Sequence, residues 1–181
     1  MATHNVLILN KVAAQTNPAL NRSAYSASAL DNGWVFNLQE QNTTVTGATE
    51  VWNAKQPATG SLIGLWMAAS PEVVLSNTGT SYYRGINPDP RNFYTSASTV
   101  FDAFKPMPGD IITLTADALD STTEQAFAVA AVTNFEFTWA AAPAGTSTMC
   151  LRYLSTTYIS IGSGAIDNQR VEAYKFEVLY N

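Results

Sequence analysis

The chain has 181 residues and a mass of 19.5 kDa, enough for one domain that buries roughly 70% of its unfolded surface. Apolar residues make up 46% and charged residues only 13%, about half the usual charged share of roughly 25%, so disorder is excluded and the surface is polar but weakly charged. A net charge of -5 and a pI near 4.7, with no run of basic residues, argue against a phosphate-binding nucleic-acid surface. No stretch approaches the roughly 20 apolar residues of a membrane-spanning helix. Residues 6–9 are too short, and lack the basic flank, for a secretory signal.

Residues 1–32 open with the apolar patch Val6-Leu7-Ile8-Leu9 and turn polar through Asn17-Pro18 and Asn21-Arg22-Ser23. The segment reads as a first strand or as an arm that docks on a neighbouring subunit, with residues 33–181 forming the β-sandwich or barrel body of a single domain. Asn32-Gly33 is a turn signal, and the strand it opens carries Trp34, Phe36 and Leu38 on one face. Residues 40–60 are polar, with Val45, Val51 and Trp52 marking one or two edge strands around Gly47. The run 61–69, SLIGLWMAA, is apolar on both faces and predicts a central strand with Gly64 at a bulge or close approach. Val73-Val74-Leu75 resumes it before the turn Asn77-Thr78-Gly79, and Tyr82, Tyr83 and Arg84 follow.

Residues 87–117 concentrate turn and strand signals. Pro106 and Pro108 cannot donate to a ladder and Gly109-Asp110 supplies turn chemistry, so a strand should begin near Ile111. Alternation puts Ile112, Leu114 and Ala116 on one face and Ile111, Thr113 and Thr115 on the other, the pattern of a half-buried strand. In 125–138 the helical and alternating periods compete; Phe135, Phe137 and Trp139 sharing a face after Thr133-Asn134 favours a β-hairpin. Residues 140–145 form a loop, 149–154 and 158–161 two strands, and 170–180 an exposed edge strand with Tyr174, Phe176, Val178 and Tyr180 on one side. Roughly nine to eleven short strands with long loops and little helix define an all-β sandwich or barrel-like fold.

His4 is the only histidine, so no histidine-based triad or zinc cluster can be assembled. Asp102, Asp110, Asp117, Asp120 and Glu124 could gather at one end of a sheet, for Ca²⁺ or for glycosidase-type acid–base work. None follows an EF-hand spacing, and turn and cap roles account for them. Cys150, the single cysteine, lies within an apolar run and reads as a small buried hydrophobe. Of the four tryptophans, Trp34, Trp66 and Trp139 sit on core-like strands. Trp52 with its polar flanks, and Tyr82-Tyr83 beside a turn, are the candidates for an exposed sugar-stacking platform. Gly162-Ser163-Gly164 lacks the later glycine and following helix of a phosphate loop.

Two stretches, GINPDPRNFYTSASTVFDAFKPMPGDIITLTAD (85–117) and TTYISIGSGAIDNQRVEAYKFEVLY (156–180), together about a third of the chain, resemble the small structural proteins of tailed-bacteriophage virions, in particular capsid decoration (cement) proteins. The resemblance implies a β-rich, homotrimeric virion protein without enzymatic activity or cofactor. It would bind the major capsid protein on the outside of the capsid lattice and stabilise the head. The residues expected to meet the partner are Val6, Leu7, Ile8 and Leu9 in the arm, Tyr82, Tyr83, Arg84 and Arg91, and the strand at 170–180. On this reading, removing residues 1–10 abolishes capsid binding and leaves the fold intact. Residues 1–32 are a departure from the smallest decoration proteins. A carbohydrate-binding β-sandwich using Trp52, Tyr82 and Tyr83, or a tail or neck component of a phage particle, stands as the alternative.

Overall fold

The computed structural model describes residues 4–45, 50–72, 75–76, 85–86, 89–120, 123–132, 134–161 and 169–181. Among these residues the chain forms thirteen β-strands, four short 3₁₀ turns and no α-helix, so the all-β expectation holds. The strands are β1 Leu7–Lys11, β2 Asn21–Ser26, β3 Val35–Gln41, β4 Val51–Lys55, β5 Trp66–Ala68, β6 Leu75–Ser76, β7 Gly85–Ile86, β8 Thr99–Phe104, β9 Ile111–Thr115, β10 Phe127–Ala130, β11 Phe137–Ala140, β12 Cys150–Ile161 and β13 Gln169–Tyr180. They assort into a six-stranded sheet of order β1-β9-β13-β12-β10-β11, a closed five-stranded barrel of order β2-β4-β3-β5-β8, and the separate pair β6-β7. Every pairing in the six-stranded sheet is antiparallel. In the barrel, β2 and β4 run parallel and the other neighbours antiparallel.

The two-residue period of the barrel strands serves two cores at once. Phe36, Ala68, Phe101 and Ala103 point into the barrel with Ala24 and Leu30, and Phe36 meets Phe101 edge-on with ring centroids 5.4 Å apart. A barrel of five strands has a narrow lumen, and three alanines leave the volume that two phenylalanines fill. The alternate residues Val35, Met67 and Phe104 face the other way and share a core with Ile112, Leu114, Phe137, Leu151, Phe176 and Val178 of the six-stranded sheet. Truncating any of the buried phenylalanines to Ala should cost about 3–5 kcal/mol.

Strand β9 begins at Ile111, as the turn chemistry predicts. Asp110 closes that turn by accepting from Met107 N (2.8 Å) and also from Ala13 N (2.9 Å), while Gly109 adopts φ +92°. The expected half-exposure of β9 needs correction, because Thr113 (2% exposed) and Thr115 (0%) are buried as deeply as Ile112 and Leu114. Their hydroxyls are satisfied by donating to Asn10 Oδ1 (2.7 Å) and Asn5 Oδ1 (2.8 Å), which makes burial on both faces affordable.

The hairpin β10–β11 forms as expected. Three other expectations change. In 61–69 only Trp66–Ala68 is strand; Gly64 sits at φ +71°, where the chain turns, and Leu62 bridges to Thr148. The two strands expected at 149–154 and 158–161 are one, β12, because its hydrogen-bonded ladder with β13 runs from Cys150 to Ile161. That ladder absorbs a bulge at Leu154, so Leu151 and Tyr153 lie on the core side before it, and Thr156, paired with buried Tyr174, after it. Finally, β13 is no edge: it lies between β9 and β12, and β1 and β11 are the edges. Beyond Tyr153 and Ala173 the two long strands pair, among the described residues, only with each other and leave the sheet as a two-stranded ribbon.

The segment 4–11 locks the sheet to the barrel. Asn5, 1% exposed, donates from Nδ2 to Asn32 O and accepts from Thr115 N (3.1 Å) and Thr115 Oγ1, while its backbone N donates to Asp31 Oδ2 (2.9 Å). Gly33 packs directly against this amide at φ +84°, and a Cβ there would collide with Asn5 Nδ2 and Leu114 Cδ2. Gly33→Ala should therefore cost about 3 kcal/mol or more, from left-handed backbone strain plus the collision. Thermal unfolding should record a Tm lowered by roughly 6–12 °C; a drop below about 2 °C would show that the junction yields without strain.

Candidate functional site

After Lys11 the chain folds back through the 3₁₀ turn Ala13–Gln15 and a second 3₁₀ turn, Pro18–Leu20, before entering the barrel as β2. The first turn is held by the Ala13 N–Asp110 bond, and the second is capped by Asn17, whose Oδ1 accepts from Ala19 N at 3.1 Å. This reversal leaves a groove of about 840 Å³ between the end of β1 and the wall of the barrel. Its floor is apolar: Leu9, Ala14, Ala69, Ala103 and Phe104. Its exposed rim carries Gln15, Asn21, Arg22, Gln41, Glu50 and Asp102. Half-buried Ser23 and Trp52 complete the lining.

Strand register fixes how these groups meet. Ser23 stands opposite Asp102 across the β2–β8 ladder, Ala24 beside Trp52 in the parallel β2–β4 pair, and Gln41 opposite Trp52 across β3–β4. Arg22 is held by donating from Nη1 to Asn21 O (2.8 Å) and Ala19 O (3.3 Å), and its guanidinium lies 5.8 Å from the Trp66 ring centroid. The groove therefore offers an indole, amides, two carboxylates and one cation, a small negative excess.

A second hollow, of about 590 Å³, lies where the N-terminal segment meets the barrel rim. The His4 ring stacks on Tyr94 with centroids 4.6 Å apart, and its Nδ1 donates to Asp31 Oδ1 at 2.9 Å. Trp34, Asp117 and Glu136 also line it. Burial pushes the Glu136 carboxyl above the ordinary carboxylate range, and the negative charges of Asp120 and Asp31 push it further.

Where they are described, the residues expected to meet a partner do not form one exposed face. Val6 is 3% exposed and belongs to the core, so it has no surface to offer. Leu7 and Leu9 are half-buried against the same core, whereas Ile8, 37% exposed, points to the outer face of the sheet. Removal of 1–10 should destabilise the fold rather than leave it intact, since it deletes Asn5 and most of β1. Arg91 forms a two-pronged pair with Asp89, Nε and Nη2 each donating to the carboxylate, and this guanidinium holds Asp89 below its usual range. Its carbonyl accepts from His4 N (2.9 Å), so Arg91 ties down the N-terminal segment. Tyr82, Tyr83 and Arg84 lie outside the described residues, as does Gly162-Ser163-Gly164.

The five carboxylates do not gather either. Asp102 lines the groove, Asp110 closes its turn, Asp117 lines the second hollow, Asp120 accepts from Thr138 Oγ1 (2.6 Å), and Glu124 is exposed. Among the described residues no group of three or more His, Cys, Asp or Glu is placed to hold a metal ion. Cys150 is buried, and burial raises its thiol pKa, against nucleophilic use. Sequence reasoning missed Gln15, Asn21, Arg22, Gln41 and Glu50, which come together only when β1, β2 and the barrel are assembled. No family model, no curated protein and no solved structure matches the chain.

Because the folded state raises the pKa of Glu136, it holds that proton more firmly than the unfolded chain. The associated stability is fully present below the ordinary carboxylate range and is lost as pH rises through the raised folded-state value. Glu136→Gln should flatten this fall in a series of Tm measurements from mildly acid to neutral pH. Tm at pH 7 should rise by no more than about 2 °C, the carboxyl being only partly buried. An unchanged slope would mean that Glu136 keeps an ordinary pKa.

Proposed function

We propose that the protein is a non-enzymatic structural component of a virus particle: a decoration protein that binds the outside of a tailed-bacteriophage capsid as a homotrimer and stabilises the head. The observation that supports this reading most is the β12–β13 ribbon. Residues 154–161 and 169–172 have no third strand among the described residues. A two-stranded ribbon is marginally stable in water on its own. This one nevertheless presents Leu154 (41% exposed) and Tyr158 (54% exposed) to solvent, with Arg170 lying 4.9 Å over the Tyr158 ring. That cation–π contact contributes about 0.5–1 kcal/mol, far less than seating the ribbon on a neighbouring subunit would. A trimer offering three ribbons gains by effective concentration about 10²–10⁴ over one contact. The weakly charged surface suits a lattice-binding clamp that works by shape and burial.

Two measurements test the reading. Quantitative mass spectrometry of purified particles from the source culture should give a copy number about equal to that of the major capsid protein, or about one third of it, as lattice symmetry requires. A ratio of a few per cent would move the protein to a vertex, neck or tail, and absence from particles would overturn the proposal. The double variant Leu154→Ser, Tyr158→Ala, altering only exposed side chains, should keep Tm within about 3 °C and weaken particle binding by about tenfold or more. Binding as tight as wild type would remove the ribbon from the contact.

A further inference from the structure

We infer that the groove between β1 and the barrel binds a neutral saccharide, with Trp52 as its stacking surface. The volume of about 840 Å³ falls within the roughly 300–1,000 Å³ of small-molecule sites, and the lining sorts candidate ligands by chemistry. A free anion meets Glu50 and Asp102, and a cation meets Arg22, which leaves the two carboxylates only a small negative excess. A wholly apolar ligand would strip water from the polar rim without replacing its hydrogen bonds. An extended peptide adding to the edge of β1 would compete with Gln15 Nε2 (3.4 Å) for the Leu9 carbonyl.

A sugar ring fits what remains. Its C–H face is apolar and packs on an indole, while each hydroxyl both donates and accepts. Gln15 and Asn21 each commit one amide N–H inside the chain, to Leu9 O (3.4 Å) and Ala14 O (3.0 Å), and keep a second to donate, while Asp102 and Glu50 offer acceptors. Beneath lie Phe104, packed in the shared core, and Ala103, whose side chain turns into the barrel lumen, so the floor is held from both cores. The inference stands apart from the capsid reading, since a saccharide site is compatible with any location of the protein.

Saturation-transfer NMR on the full chain with cellotriose, chitotriose and maltotriose tests it. The expected result is transfer from protein to the C–H protons of one ring face of at least one probe, with a dissociation constant in the millimolar range. Trp52→Ala should weaken that binding by about tenfold or more and Asp102→Asn by about threefold. No transfer to any of the three probes at about 10 mM, or binding unchanged in Trp52→Ala, overturns the inference. Should Trp52→Ala fail to keep the wild-type Tm, the indole N–H resonance of Trp52 in the wild-type protein decides: it shifts on titration, or the assignment is wrong. Copy number on particles is measured without sugar, so the two readings fail separately.

Discussion

A buried amide at their junction ties the two halves of this protein in register. Asn5 reaches Asn32 on the barrel side and Thr115 on the sheet side, and its own backbone N–H is taken by Asp31. An amide buried this deeply costs a few kcal/mol wherever its hydrogen bonds are missing, so docking arrangements that slide the sheet along the barrel are penalised. Gly33 lets the barrel entrance approach the amide closely enough for this to work. The position of β1 follows from that anchor, and with it one wall of the groove.

The barrel contributes the other constraint. Its strands spend one face on a narrow lumen of alanines and two phenylalanines, and the other on the core shared with the six-stranded sheet. Substitutions at 35–36, 67–68 and 103–104 are thus felt in two cores through adjacent residues. Groove and ribbon are both consequences of where this packing stops. The groove opens where β1 parts from the barrel wall, and the ribbon begins where β9 and β10 no longer flank the two long strands.

Local chemistry was legible in the sequence. The proline-rich turn and Gly109-Asp110 announce β9 to the residue, Asn32-Gly33 announces β3, and alternation identifies Tyr174, Phe176 and Val178 as core. Relations between distant strands were not. Alternation in 170–180 looks the same for an edge strand and a central one whose outer face is covered by polar residues. The apolar run 61–69 owes its composition to Leu65 and Met67 filling the shared core from a turn and a short strand, rather than to a long central strand. Val6 looks like part of a docking patch because polar residues flank the apolar run 6–9, yet its backbone exchanges hydrogen bonds with Thr115, more than a hundred residues away. The groove residues are polar, dispersed and without spacing, so no pattern in the chain could have assembled them. Trp52 alone carried a signal, its polar flanks.

The central position of β13 has a consequence for synthesis on the ribosome. Leu7 must wait for Leu114, which at about 5–20 residues per second is roughly 5–20 s after Leu7 itself is made. Even then the sheet stays divided, β1–β9 on one side and β10–β11–β12 on the other, because the strand that joins them is translated after both. Until residues 169–180 emerge, β9 and β12 each present an open edge capable of pairing with another nascent chain. The barrel, complete at Phe104, can close first. The order of events is therefore written into the strand order: the barrel forms as a platform, and the sheet is zipped shut last, from its middle.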